Sequence, residues 1–150
     1  KALYRSIQQE VPVDYYTIPF GKAAMIKEGN DVTVISFGAG VHWAMEILSN
    51  HPEVSADLID LRSLQPLDYE TIFASVKKTG KVIILQEDTM FGGIASDLSA
   101  TIMEACFESL DAPVKRVASL ESPIPFMKNL EDQYLPKARF EKELLVLLDY

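Results

Sequence analysis

The segment VIIL at residues 82–85 constrains the fold most. A wholly apolar strand has no polar face to turn toward water, and such strands belong in the middle of a parallel sheet covered on both sides. Its surroundings fit that placement. Residues 32–37 (VTVISF) and 54–59 (VSADLI) read as further strands rich in β-branched residues, and 114–117 as a last short one. Between them run segments of helical periodicity. Residues 41–50 carry Val41, Ala44, Met45 and Leu48 on one stripe. Residues 68–79 start at a plausible N-cap, Asp68, turn Ile72, Phe73 and Val76 inward, and stop at Gly80. A long helix opens at Gly92-Gly93 and runs to about Leu110, and another spans 137–148. Strands alternating with helices mean βαβ units, so the expected fold is a three-layer α/β/α sandwich with about five strands, mostly parallel. Residues 22–27 (KAAMIK) read as a short edge strand, and residues 1–20, irregular and extended at their end, as a linker onto a domain spanning 21–150.

The totals narrow the function. Twenty-two acidic residues against fourteen basic ones give a net charge of −8, which speaks against nucleic acid and for a basic protein partner. No apolar run approaches the roughly 20 residues of a membrane span. A single cysteine, Cys106, excludes an internal disulfide and fits a cytoplasmic location, and its place in a helix reads as a buried small apolar residue rather than a nucleophile. The chain does not begin with Met, as expected of a processed chain or an excised piece.

Motifs for self-contained chemistry are weak. Gly38-x-Gly40 lies between a strand and a helix, but Trp43 stands where a dinucleotide fingerprint needs its third glycine, so a tight turn is the better account. Gly92-Gly93 precedes a helix without a Walker lysine. Asp60 and Arg62 flank Leu61 and read as an ion pair steadying a loop, and Glu87-Asp88 as solvated or contacting another domain. His42 falls in the first turn of its helix, off the apolar stripe, and two histidines with one cysteine make no metal signature. The run Leu144-Leu145-Val146-Leu147-Leu148 covers nearly every face of a helix, so part of it needs a cover beyond this domain.

The segments KALYRS…EVP…YTIPFGKA, DVTVISFGAGVHWAME, DLRSLQPLD, EDTMFGGIASDL and LDAPVKRV…PIPF…LE…YLP, in that order, resemble the beta subunit of the E1 component of pyruvate and branched-chain 2-oxo acid dehydrogenases, in its transketolase-like C-terminal domain. The resemblance spans almost the whole chain. It implies a five-stranded mixed sheet whose first strand is antiparallel to the rest. It implies a parent enzyme in which thiamine diphosphate and Mg²⁺ decarboxylate a 2-oxo acid and the acyl group passes to a lipoyl group on E2. It places the cofactor between an alpha-type part and a pyrimidine-binding domain, both outside these residues, so it assigns no catalytic, cofactor-binding or metal-binding residue here and leaves this segment inactive alone. The expected partners are those two parts, a second beta-type half and the E2 acyltransferase, in the cytoplasm or, for a eukaryote, the mitochondrial matrix. Two partner-binding positions follow: Asp111, in the L-D/E-A-P stretch, and the terminal carboxylate, which would belong to Tyr150. The plainer account of both is a solvated turn residue and a frayed end. EDTMFGG departs from the HEAP-type loop of many members, which leaves that loop's contacts open. Rival readings are the C-terminal domain of a transketolase or deoxyxylulose-phosphate synthase, and a stand-alone α/β binding module.

Overall fold

The structure is a computed structural model that describes residues 2–8 and 10–150. Among the described residues five strands form one sheet: β1 (Ala24–Lys27), β2 (Val32–Ser36), β3 (Ala56–Asp60), β4 (Val82–Thr89) and β5 (Lys115–Ser119). Their order is β1-β3-β2-β4-β5, with β1 antiparallel to β3 and every other pairing parallel. The antiparallel edge strand and the mostly parallel sheet are as expected from sequence.

Two apolar layers flank the sheet. Helices α2 (Ala39–Asn50) and α6 (Lys137–Leu148) cover one face, where Val34, Leu58 and Leu85 meet Ile47, Phe140 and Leu144. Helices α3 (Tyr69–Thr79) and α4 (Ile94–Cys106) cover the other, where Ile35, Ile59 and Ile84 meet Ile72, Val76 and Leu98. Every residue of β2 is buried, as is the VIIL run of β4, because both lie inside the sheet with helices above and below. Asp68 caps α3 by accepting the Thr71 N–H, and Gly80 closes it in the left-handed conformation with φ of 68°.

Three boundaries differ from the sequence reading. The linker contains a short helix, α1 (Ala2–Ser6), whereas Lys1 lies outside the described residues. The long helix stops at Cys106 and continues as a 3-10 turn over Phe107–Ser109, because the chain must bend beneath the sheet to enter β5. A helix of seven residues, α5 (Lys128–Tyr134), has no counterpart in that reading, since of its residues only Tyr134 is buried and no apolar stripe announces it.

A buried polar chain ties the α3 face to the sheet. The Asp57 carboxylate is fully buried and accepts from Gly29 N–H at 2.8 Å, Ser75 Oγ at 2.6 Å and Lys78 Nζ at 2.7 Å. Because that carboxylate only accepts, Ser75 donates to it. Thr33 Oγ1 then donates to Ser75 over 2.6 Å and lies 2.7 Å from Thr79 Oγ1, which is also 3.2 Å from the Lys81 carbonyl.

Candidate functional site

The sheet has two poles with different chemistry. At the amino ends of the strands, the chain leaves the 3-10 turn, passes through Leu110-Asp111-Ala112-Pro113 and rises into β5. Asp111 N–H donates to the Gly80 carbonyl at 2.8 Å, and its carboxylate lies over Gly80, where any Cβ would collide with it. Gly80 is thus required for its left-handed backbone conformation, while the exposed Asp111 carboxylate would have to swing aside for a Cβ there. The next residue, Lys81, reaches the other way and donates to the Leu148 carbonyl at 2.8 Å, holding the end of α6. Tyr150, exposed, follows directly, with its N–H on Leu147 O at 3.4 Å. The two partner-binding positions read from sequence, Asp111 and Tyr150, therefore lie toward one pole: Asp111 rests on Gly80, and Lys81 holds Leu148, two residues before Tyr150. The Asp111 side chain is exposed and, among the described residues, no cation pairs with it.

At the carboxyl ends, the loop from Glu87 to Gly93 is tied down by buried amide and hydroxyl groups. Gln86, fully buried, accepts Ala95 N–H on Oε1 at 2.8 Å and donates from Nε2 to Thr89 O. Ser119 Oγ donates to Glu87 O, where the β4–β5 register shifts, and Phe91 N–H donates to Glu121 Oε1 at 2.7 Å. Gly92 has a φ of 72° and Gly93 packs against the Gln86 amide, so the two glycines serve loop geometry. Around this held loop Phe91, Leu120, Ile124, Phe126, Met127 and Leu130 stand exposed, Phe126 completely. The amino-terminal strap arrives at the same pole: Gly21 N–H donates to Ser63 Oγ and Ala23 N–H to Asp68 Oδ2. It too exposes large apolar side chains, among them Val13, Tyr15 and Phe20.

The other sequence candidates resolve as structure. Gly38, with φ of 57°, makes the strand-to-helix turn, and Gly40 sits against Ser36 Oγ, which donates to Leu85 O at 2.8 Å. The expected Asp60–Arg62 ion pair does not form. Asp60 Oδ1 instead accepts the Arg62 backbone N–H at 3.1 Å, and the left-handed backbone of Arg62 (φ 54°) directs its side chain elsewhere. Glu87 and Asp88 are exposed at the end of β4, and His42 is exposed in the first turn of α2. Cys106 is buried, and burial pushes its thiol pKa up against the opposing charge of Lys77, which leaves it protonated and inert. In the terminal run, Leu144 and Leu147 are buried while Leu145 and Val146 remain 39% and 43% exposed.

Sequence reasoning missed His51. It stands between two carboxylates, Nδ1 at 3.0 Å from Glu53 and Nε2 at 2.8 Å from Glu141. The bonds to Glu141 and then Glu53 raise its pKa above the ordinary histidine value. Glu141 is ninety positions away in sequence, and no local pattern announces such a contact.

The residues present do not fit a metal-bound diphosphate. Among the described residues no three His, Cys, Asp or Glu side chains come together as metal ligands, and the one guanidinium at the first turn of the helix after Gly93, that of Arg116, is spent on Ser96 Oγ, to which it donates at 2.6 Å.

The class that this fold defines is the three-layer α/β domain with a mostly parallel sheet and one antiparallel edge strand. The family model described as the transketolase C-terminal domain matches residues 21–139, and the chain belongs to that family. It is 45% identical over 139 residues to the mitochondrial 2-oxoisovalerate dehydrogenase subunit beta of Dictyostelium discoideum, covering 91% of this chain and 37% of that protein. It is 45% identical over 133 residues to the acetoin:2,6-dichlorophenolindophenol oxidoreductase subunit beta of Bacillus subtilis (87% and 39% covered). Against the pyruvate dehydrogenase E1 component subunit beta of the same organism the identity is 43% over 136 residues (89% and 42% covered). The chain thus spans about two-fifths of the length of these relatives. Among solved structures it is similar to a split-gene transketolase in an inactive beta4 tetramer, with TM-score 0.75, 25% identity, and 94% of this chain and 46% of that one covered.

Proposed function

We propose that this chain is the C-terminal domain of the beta-type part of a thiamine-diphosphate-dependent 2-oxo acid dehydrogenase E1 component, and that its work is assembly and docking rather than chemistry. The observation that carries this reading is the apolar pole at the carboxyl ends of the strands, where the strap from residue 10 onward and the Leu120–Leu130 region present large side chains to solvent. Large apolar side chains left exposed in such numbers mark surface that a partner covers. The partners that fit are the pyrimidine-binding domain preceding residue 1, the alpha-type part, and a second beta-type half. The inactive beta4 assembly of the similar transketolase supports a beta half that associates without catalysing. Relatives named for a branched-chain 2-oxo acid, for acetoin and for pyruvate match almost equally, so what they share is the beta-subunit role and not one substrate.

Thiamine diphosphate and Mg²⁺ belong to the parent enzyme, whose other domains supply the ligands absent from this donor set. We infer that the amino-end pole, with Asp111 and Tyr150, docks the E2 acyltransferase through basic side chains of that partner. A mitochondrial relative and bacterial ones support a matrix or cytoplasmic location, and among the described residues no helix is long and apolar enough to cross a membrane.

The test is thermal unfolding and light scattering of the 150-residue chain with and without thiamine diphosphate plus Mg²⁺. A ligand that binds only the folded state raises the melting temperature. The expected result is no shift together with self-association. A saturable rise in melting temperature would place a cofactor site within these residues and overturn the reading.

A further inference from the structure

Arg62 is the one described residue other than glycine whose backbone lies in the left-handed region, with φ of 54°. A Cβ in that conformation crowds the neighbouring carbonyl, so glycine is the ordinary occupant. Ties on both sides hold the turn in place. Leu61 N–H donates to Ser36 O at 2.9 Å, Arg62 N–H donates to Asp60 Oδ1 at 3.1 Å, and Ser63 Oγ accepts the Gly21 N–H at 3.2 Å. None of these bonds uses the Arg62 side chain, so glycine at this position would make the same turn without strain. What glycine lacks is the guanidinium. That group is exposed, and among the described residues no carboxylate pairs with it, in a chain with twenty-two acidic residues. Strain kept at a position where the strained side chain serves no internal contact points to a use outside the domain.

The turn lies at the carboxyl end of β3, where the amino-terminal strap arrives. The Gly21–Ser63 bond brings exposed Phe20 beside it, and Leu64 is exposed two residues on. A surface that covers these apolar side chains takes the guanidinium out of water as well. A desolvated cation without a counter-charge opposes association strongly, so the covering surface must bring an anion. Glu87 and Asp88 do not supply it. They end β4, and β2 lies between β4 and β3, which sets the two strand ends about 10 Å apart.

We propose that Arg62 is the ionic anchor of the carboxyl-end interface, and that the protein surface packing there presents an Asp or Glu carboxylate to it beside an apolar patch over Phe20 and Leu64. The proposal rests on the reading of this pole as an interface and adds the chemistry of what covers it. The planar guanidinium forks onto a carboxylate through two parallel bonds, a fit that a lysine ammonium does not reproduce. A second copy of this domain is not the occupant, since it brings a net charge of −8 and the same cation at the same place.

The experiment uses the assembled enzyme, alpha-type and beta-type parts together, as wild type, Arg62→Gly, Arg62→Lys and the double variant Phe91→Ser with Phe126→Ser. Arg62→Lys is treated with a carbodiimide, which joins an amine to a carboxylate in contact with it, and the joined peptides are identified by mass spectrometry. The expected product links position 62 to an Asp or Glu outside these 150 residues. Arg62→Gly should leave the melting temperature of the beta-type part unchanged or raise it, because glycine adopts this φ freely, while amide exchange in the assembled enzyme speeds up around residues 17–24 and 61–65. No link at position 62, or a link only to carboxylates of this domain, would overturn the proposal. So would an Arg62→Gly variant that melts lower and exchanges faster throughout, because Arg62 would then serve the fold itself. If both Arg62 variants behave as wild type while the double variant loosens the enzyme, the pole remains an interface and Arg62 has no part in it. If the double variant also changes nothing, the interface reading falls too.

Discussion

Lys81 Nζ lies 2.8 Å from the Leu148 carbonyl oxygen, so the residue that opens the approach to β4 also closes α6. A cation at a helix C-terminus satisfies a free carbonyl and meets the negative end of the helix dipole. Lys81→Ala is therefore expected to fray the last turn of α6 and cost about 0.5–1 kcal/mol of stability, read as a melting temperature lowered by a few degrees. Amide exchange should speed up at residues 146–150 and not in the sheet. Exchange that speeds up equally everywhere would mean the contact has no local role.

His51 makes the chain's stability depend on pH. A neutral imidazole has one N–H and can donate to only one of Glu53 and Glu141, whereas the imidazolium donates to both. The raised pKa of His51 means that the folded chain holds this proton more tightly than the unfolded one. Its stabilising contribution is fully present below the unfolded-state pKa of about 6.5 and is lost as pH rises through the higher folded value. Other groups border the site: Glu46 of α2, which pairs with Lys137 of α6, and Asp132 of α5. None of these contacts His51 in place of Glu53 or Glu141. The melting temperature of wild type minus that of His51→Gln should be largest near pH 6 and shrink by pH 9. A difference that is flat across this range would show that the bridge carries no proton linkage.

The Asp57 network predicts a graded series. Asp57→Ala strands the Gly29 N–H and the Ser75 hydroxyl in a buried place and removes the partner of Lys78, at a cost of roughly 2–4 kcal/mol for the unsatisfied donors. Ser75→Ala removes one link of the chain and should cost less, about 1 kcal/mol. Gly29→Ala should be at least as severe as Asp57→Ala, because a Cβ there meets the backbone of Ser55 and Ala56, which has nowhere to move. Chemical denaturation of the three variants gives the ranking. A mild Gly29→Ala would show that the β1–β2 turn is looser than its packing implies.

What the sequence disclosed and what it hid follow from the range of the interactions. The strands and α2, α3 and α6 were legible because burial stamps a period on nearby residues: VIIL has no polar face, and Ile72 and Val76 recur at helical spacing before Gly80. Helix α5 was illegible because it buries only Tyr134 and so carries no period. The Asp60–Arg62 expectation failed because alternation assumes an extended backbone, whereas Arg62 has left the strand. The Asp111–Gly80 contact, the Lys81–Leu148 bond and the His51–Glu141 bond all join residues far apart in the chain. Only the assembled sheet brings them together, and a reading based on local pattern has no access to them.

The apolar pole gives a prediction with an opposite sign to those above. Phe91 and Phe126 touch little in this chain, being 88% and fully exposed. Replacing both with Ser removes no core contact, so the melting temperature should stay within the range of ordinary surface substitutions, about ±0.5 kcal/mol each. Exposed aromatics instead drive association, because burying their surface against anything apolar releases roughly 25 cal/mol per Å². Phe91→Ser with Phe126→Ser should therefore lower the light scattering of the concentrated chain, and in the assembled enzyme should weaken the contact between this domain and its neighbours without unfolding either. If the double variant melts far below wild type, these side chains are packed inside the domain in solution and the pole is not an interface. If scattering is unchanged at equal stability, self-association runs through another exposed apolar surface, such as the Leu145 and Val146 face of α6.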